Sequence, residues 1–121
     1  MPTKKKEQKN EDIKIYDEYF NYTKELKTNY GERSIVLMLV GAFFEVYGLK
    51  DIETQDITKS NLIDFKNICN LNVADKMEIE NNQVIVMAGF RDYALEKNLS
   101  MLIAANYNVA VYIQDKTQKK I

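Results

Sequence analysis

Across residues 11–30, apolar or aromatic side chains fall at Ile13, Tyr16, Phe20, Leu26 and Tyr30, with Thr23 between them and Gly31 after. These intervals line one face of a helix, and glycine is a natural stop, so the pattern predicts a helix here. Ser34–Val40 (SIVLMLV) is continuously apolar and too short for a helix of its own, which predicts a central strand buried on both faces. Gly41 allows a bend, and residues 43–47 continue as a second extended piece. The polar stretch 49–60 (LKDIETQDITKS) reads as a loop. Beyond it, Leu62, Phe65, Ile68, Cys69 and Leu71 keep a helical rhythm, with Ser60 or Asn61 available as N-cap.

The segments MEIE and QVIVMAG flank Asn81 and Asn82, residues that tolerate left-handed backbone angles, and so predict a hairpin. Asp92 can cap a last helix reaching about Asn106, with Leu95, Leu99, Leu102 and Ile103 as its buried stripe. Residues 109–114 (VAVYIQ) close the domain as another inner strand. The expected fold is α/β: a single domain with a mixed β-sheet of about five to six strands flanked by three helices. It spans residues 12–115, between a basic disordered tail (1–11) and a solvated linker (116–121).

At 121 residues the chain holds one core and no second domain. No apolar run is long enough to cross a bilayer, and no signal peptide opens the sequence. A single cysteine, Cys69, cannot form an internal disulfide, which fits a reducing intracellular compartment. With no histidine, Ser-His and Cys-His nucleophile pairs and the common zinc sites are excluded. Charge is unevenly spread. Residues 1–9 hold four lysines and one glutamate, and residues 115–121 hold three lysines and one aspartate. Between them lie 10 of the 17 basic and 16 of the 18 acidic residues, a net of −6. An acidic body is a poor general binder of nucleic acid, because phosphate neutralisation supplies most non-specific affinity.

Phosphate-binding signatures are absent: there is no G-x-x-x-x-G-K-S/T loop and no dinucleotide fingerprint among four glycines. Asp51, Glu53 and Asp56 could form a magnesium-dependent nuclease site, although loop acids at irregular spacing are usually only solvated. More informative is GAFFEVYG, residues 41–48. On a strand, Phe44 and Val46 point to one face and can complete the core, while Phe43 and Glu45 share the other. Two arrangements are open. Phe43 packs under a helix with Glu45 at a strand edge, or the ring inserts into something flat beside a hydrogen-bonding carboxylate. Duplex DNA is such a target, since apolar wedges enter between base steps from the minor groove and kink the helix.

Two segments resemble the N-terminal mismatch-recognition domain of the MutS family of DNA mismatch-repair proteins. VLMLVGAFFEVYG is similar to the family segment carrying Phe-x-Glu, usually near G-D-F-Y-E-L, with Phe43 on its phenylalanine and Glu45 on its glutamate. VIVMAGFRDYALEKNLSMLIAANYNVAVYIQ is similar to the stretch that runs from an M-A-G turn, through a helix, to a strand ending V-A-x-x-x-Q. Together with the helix ahead of the motif, the resemblance covers residues 12–115.

It implies that Phe43 wedges against a mispaired base from the minor groove and that Glu45 hydrogen-bonds the same base. An unpaired carboxylate near DNA is costly unless a base donor meets it or it takes up a proton, so Glu45 is expected to penalise well-paired DNA. Ala42 and Phe44 replace a commonly acidic or polar residue and a tyrosine. Arg91 stands where proline is common and can contact phosphate, though a surface arginine is more often only solvated. Asn106 takes the place of a glycine, as the next-best residue for a left-handed cap. Lys4, Lys5, Lys6 and Lys9 offer loose phosphate contacts, or merely a solubilising tail.

The resemblance implies double-stranded DNA with mismatches or small loops as partner, together with the remaining domains of a longer protein that is a homo-oligomer, and no membrane. It implies no cofactor and no catalysis within this stretch, ATP and Mg belonging to the family's separate ATPase domain. Richness in Asn, Lys, Ile and Tyr suggests an AT-rich genome and, together with the GAFFEVYG variant of the family motif, points to a viral or organellar branch. The alternative function is a structural or protein-interaction module of the same fold, with Phe43 buried and no mismatch preference.

Overall fold

A computed structural model describes residues 2–113, with side chains described from Glu11 onward. The elements in chain order are α1 (Pro2–Tyr30), β1 (Ser34–Val40), β2 (Phe43–Asp51), β3 (Ile57–Thr58) and α2 (Leu62–Cys69). A hairpin of β4 (Ala74–Ile79) and β5 (Gln83–Arg91) follows, then a single 3-10 turn (Asp92–Ala94), α3 (Leu95–Ala104) and β6 (Asn108–Ile113). The six strands form one mixed sheet in the order β4-β5-β2-β1-β6, with β3 added beside β2. Every pairing is antiparallel except that of β1 with β6. The expected α/β architecture, a mixed sheet with three helices, is the one observed.

The helices divide between the two faces of the sheet. On one side, α1 sets Tyr16 and Tyr19 edge-on against Tyr47 and stacks Tyr22 on Tyr112, with centroids 4.2 Å apart. On the other, Phe65 of α2 and Phe44 of β2 both meet Phe90, and Leu62 and Leu102 are fully buried. β1 and β2 are thus covered on both faces, which is why their apolar runs show no alternation. Burying most of so many large side chains is the main stabilising term of the fold.

Several expectations change. The first helix begins at Pro2, taking in residues expected to form a disordered tail. Proline is pre-organised for a first helical turn, and Lys, Glu and Gln are good helix formers. The presumed loop 49–60 is shorter, because β2 runs on to Asp51 and Ile57–Thr58 pairs back against it. Met87, Ala88 and Gly89 lie inside β5 rather than in a turn. Gly89 is needed there because a Cβ at that position would stand 2.6 Å from the Phe44 carbonyl oxygen.

β6 is an edge strand, not an inner one: only β1 pairs with it among the described residues, and Val111 and Ile113 are exposed. Ile103, expected in the buried stripe of the last helix, is also exposed, and Asn98 is buried instead, donating to the Ala94 carbonyl. Neither expected side-chain cap forms. The Asn61 amide donates to the Glu32 and Ser34 carbonyls, Ser60 donates to the Tyr47 carbonyl, and the 3-10 turn at Asp92 displaces the start of α3 to Leu95. The left-handed conformations expected at Asn81, Asn82 and Asn106 are all present. Gln114 and residues 116–121 lie outside the described residues.

Candidate nucleic-acid interface

Val40 pairs with Phe43, so only Gly41 and Ala42 link β1 to β2. Gly41 has φ +62 and Ala42 is not left-handed, the pattern of a type II′ hairpin turn, whose twist suits the flanking strands. This tight link puts Phe43 at the very start of β2. Its ring is 43% exposed, whereas Phe44 behind it is 4% exposed. Phe43 therefore stands at the rim of the sheet, outside the packed core.

Arg91 ends β5 directly opposite Phe43 in the register. Its guanidinium lies 5.4 Å from the Phe43 ring centroid and 5.4 Å from that of Tyr93, which is 81% exposed. Both distances lie in the cation–π range. Neither ion pair found among the described residues involves Arg91, so its positive charge is oriented by two rings and paired with no described carboxylate. The Asp92 N–H donates to the Ala42 carbonyl at 2.8 Å, tying the 3-10 turn that carries Tyr93 to the turn that carries Phe43.

Glu45 shares the face of Phe43, as strand alternation requires, but not its exposure. It is 7% exposed and lies under α1, where its Oε1 accepts a hydrogen bond from the Tyr47 hydroxyl. Tyr16 and Tyr19 wall in that hydroxyl, and Tyr19 itself donates to the Val36 carbonyl at 2.8 Å. Burial raises the Tyr47 pKa well above the ordinary phenol value, and the hydrogen bond to Glu45 and the Glu45 charge raise it further. Glu45 faces Gly89 across the strand pair, and the missing side chain leaves room for the carboxylate stem, 3.3 Å from where a Cβ would be. The structure thus joins Phe43 to Arg91 and separates both from the Glu45 carboxylate.

The side chains of Lys4, Lys5, Lys6 and Lys9 lie outside the described residues. Asp51 accepts the N–H groups of Glu53 and Thr54 on one oxygen, which folds its own turn. No group of three or more His, Cys, Asp or Glu placed to hold a metal ion occurs among the described residues. No described helix is long and apolar enough to cross a membrane. No protein-family model matches the chain, and no curated protein matches it.

Two residues of this site, Tyr47 and Tyr93, are absent from the expected set. The strand alternation carries a signal for Tyr47, which lies two positions beyond Glu45 and so on the same strand face. Tyr93 stands off the apolar stripe of the helix that follows it, a sign of exposure, but its meeting with Arg91 depends on the 3-10 turn.

Proposed function

We propose that this chain is a DNA mismatch-recognition module of the MutS type, which inserts Phe43 from the minor groove at a mispaired or unpaired base. The observation that carries this is the half-exposed Phe43 ring directly after a tight hairpin turn, beside an arginine that no described carboxylate pairs with. A structural module of the same fold has no need of an aromatic ring at that position, and the exposure weighs against it. A mispair is poorly stacked, so kinking and unstacking there cost less than in matched DNA, and discrimination follows from deformability without a base-sequence code. Arg91, next to the wedge, supplies a phosphate contact, and Lys4, Lys5 and Lys6 add looser ones.

Glu45 acts at a second stage. Because the carboxylate is buried and takes the Tyr47 hydroxyl on Oε1, a base donor meets it only once the side chains that cover it move aside. Uncovering it gains a hydrogen bond when a mispaired base offers a free N–H, and gains none when the base is fully paired. The same group therefore sharpens the preference for mispairs. The module itself carries no ATP or Mg site. It works within a longer, homo-oligomeric protein whose other domains supply the clamp and the ATPase.

Amide NMR titration of the labelled chain tests this, using one matched duplex and one carrying a G·T mispair or an unpaired T. The expected result is shifts at Phe43 and Glu45 with the defective duplex alone, abolished in Phe43→Ala. Equal shifts confined to lysine-rich segments with both duplexes would leave only generic charge contact.

A further inference from the structure

Phe43, Arg91 and Tyr93 form one continuous exposed surface of ring, cation and ring, and Tyr93 has no part in the mechanism above. With 81% of its surface accessible, Tyr93 is the most exposed of the large hydrophobic side chains described. Its position relative to Phe43 is nonetheless fixed. The 3-10 turn that bears it is tied to the β1–β2 turn through the Asp92 N–H and the Ala42 carbonyl, and Arg91 bridges the two rings at 5.4 Å from each. A mobile surface arginine loses entropy when it takes up a phosphate, whereas one already held between two rings has lost most of it beforehand.

We infer that Tyr93 is a second DNA-contacting aromatic residue. It lies against the sugar-phosphate backbone beside the wedged step while Arg91, braced between the rings, takes the adjoining phosphate. This rests on the proposed DNA-binding role. Charge selects DNA: the arginine at the centre of the surface has no ion pair among the described residues, and phosphate is a ligand its planar fork suits. Because backbone contacts carry no sequence or pairing information, Tyr93 contributes affinity and Phe43 contributes discrimination.

The test measures dissociation constants by the same NMR titration for the wild-type chain, Tyr93→Ala, Tyr93→Phe and Phe43→Ala, each with matched and unpaired-T duplexes. Tyr93 is so exposed that neither substitution at this site unfolds the chain, which the amide spectrum verifies. Tyr93→Ala is expected to weaken binding to both duplexes by about the same factor, roughly fivefold, judged from the cation–π contact that holds Arg91 in place for its phosphate. Tyr93→Phe is expected to retain wild-type affinity, because the ring and not the hydroxyl makes the contact. If Tyr93→Ala leaves both affinities unchanged while Phe43→Ala removes the mismatch preference, the Tyr93 contact is overturned and the wedge stands. If Tyr93→Ala weakens both but the wild type shows no mismatch preference, the contact stands and the wedge is overturned. Absence of any shift with either duplex overturns both.

Discussion

Replacing Tyr47 with phenylalanine removes one oxygen and tests whether the Glu45 carboxylate is as enclosed as the fold makes it. The tyrosine ring is buried between Tyr16 and Tyr19, so Tyr47→Phe keeps both edge-to-face contacts and creates almost no cavity. What it removes is the donor to Glu45 Oε1. A hydrogen bond to a charged group contributes about 1.5–3 kcal/mol, and a buried acceptor left without it bears the desolvation cost. The expected loss is therefore about 2–3 kcal/mol, a fall in Tm of roughly 8–12 °C for a domain of this size.

Glu45→Gln keeps an acceptor while removing the charge, and should lie within about 1 kcal/mol of wild type. The double variant Tyr47→Phe with Glu45→Leu places two apolar groups together and should be more stable than Tyr47→Phe alone, because no buried carboxylate is left short of a donor. Urea melts followed by circular dichroism measure all four, with an unchanged m-value required for the comparison. A loss below about 0.5 kcal/mol in Tyr47→Phe would refute the enclosure, since a solvated carboxylate does not miss one donor.

The two adjacent phenylalanines should separate stability from function. Phe44→Ala empties a position packed against Phe90 and should cost about 3–5 kcal/mol, while Phe43→Ala should cost about 1 kcal/mol, as a half-exposed ring with one cation–π partner would. Comparable losses from the two in urea melts would contradict the placement of Phe43 outside the core. Alkaline pH should destabilise the chain through its buried phenols. Burial, followed by the hydrogen bond to Asp64 and the Asp64 charge, outweighs the opposing pull of Arg33, and Tyr107 is pushed up to about 12; Tyr19 and Tyr47 are raised as well. The folded state thus keeps protons that unfolded tyrosines release near about pH 10, so stability is whole below that pH and falls from there towards about 12. Urea midpoints unchanged between about pH 9 and about pH 11 would contradict this.

The sequence carried the fold well wherever a single periodicity decided the element. α1 up to Gly31, β1, the Asn81-Asn82 hairpin and the left-handed Asn106 are all present because local backbone chemistry determines each. Errors arose where tertiary contacts decide. The apolar run of β6 reads as an inner strand, but whether a strand has one neighbour or two depends on the topology of the whole sheet. Asn61 has the chemistry of a cap, yet its amide is held instead by two carbonyls, that of Glu32 before β1 and that of Ser34 at its start. At the site, alternation assigned Phe43 and Glu45 correctly to one face. Their opposite exposures arise from how far α1 extends over that face, which residues 41–48 do not encode.

Entry of the Phe43 ring into the base stack is read from intermolecular nuclear Overhauser contacts between the labelled chain and an unlabelled duplex with one unpaired T. A ring wedged into the stack gives contacts from the Phe43 ring protons to the unpaired base and its stacked neighbour, and none with the matched duplex. Contacts from Arg91 and Tyr93 to the sugars with the Phe43 ring silent on both duplexes would contradict it.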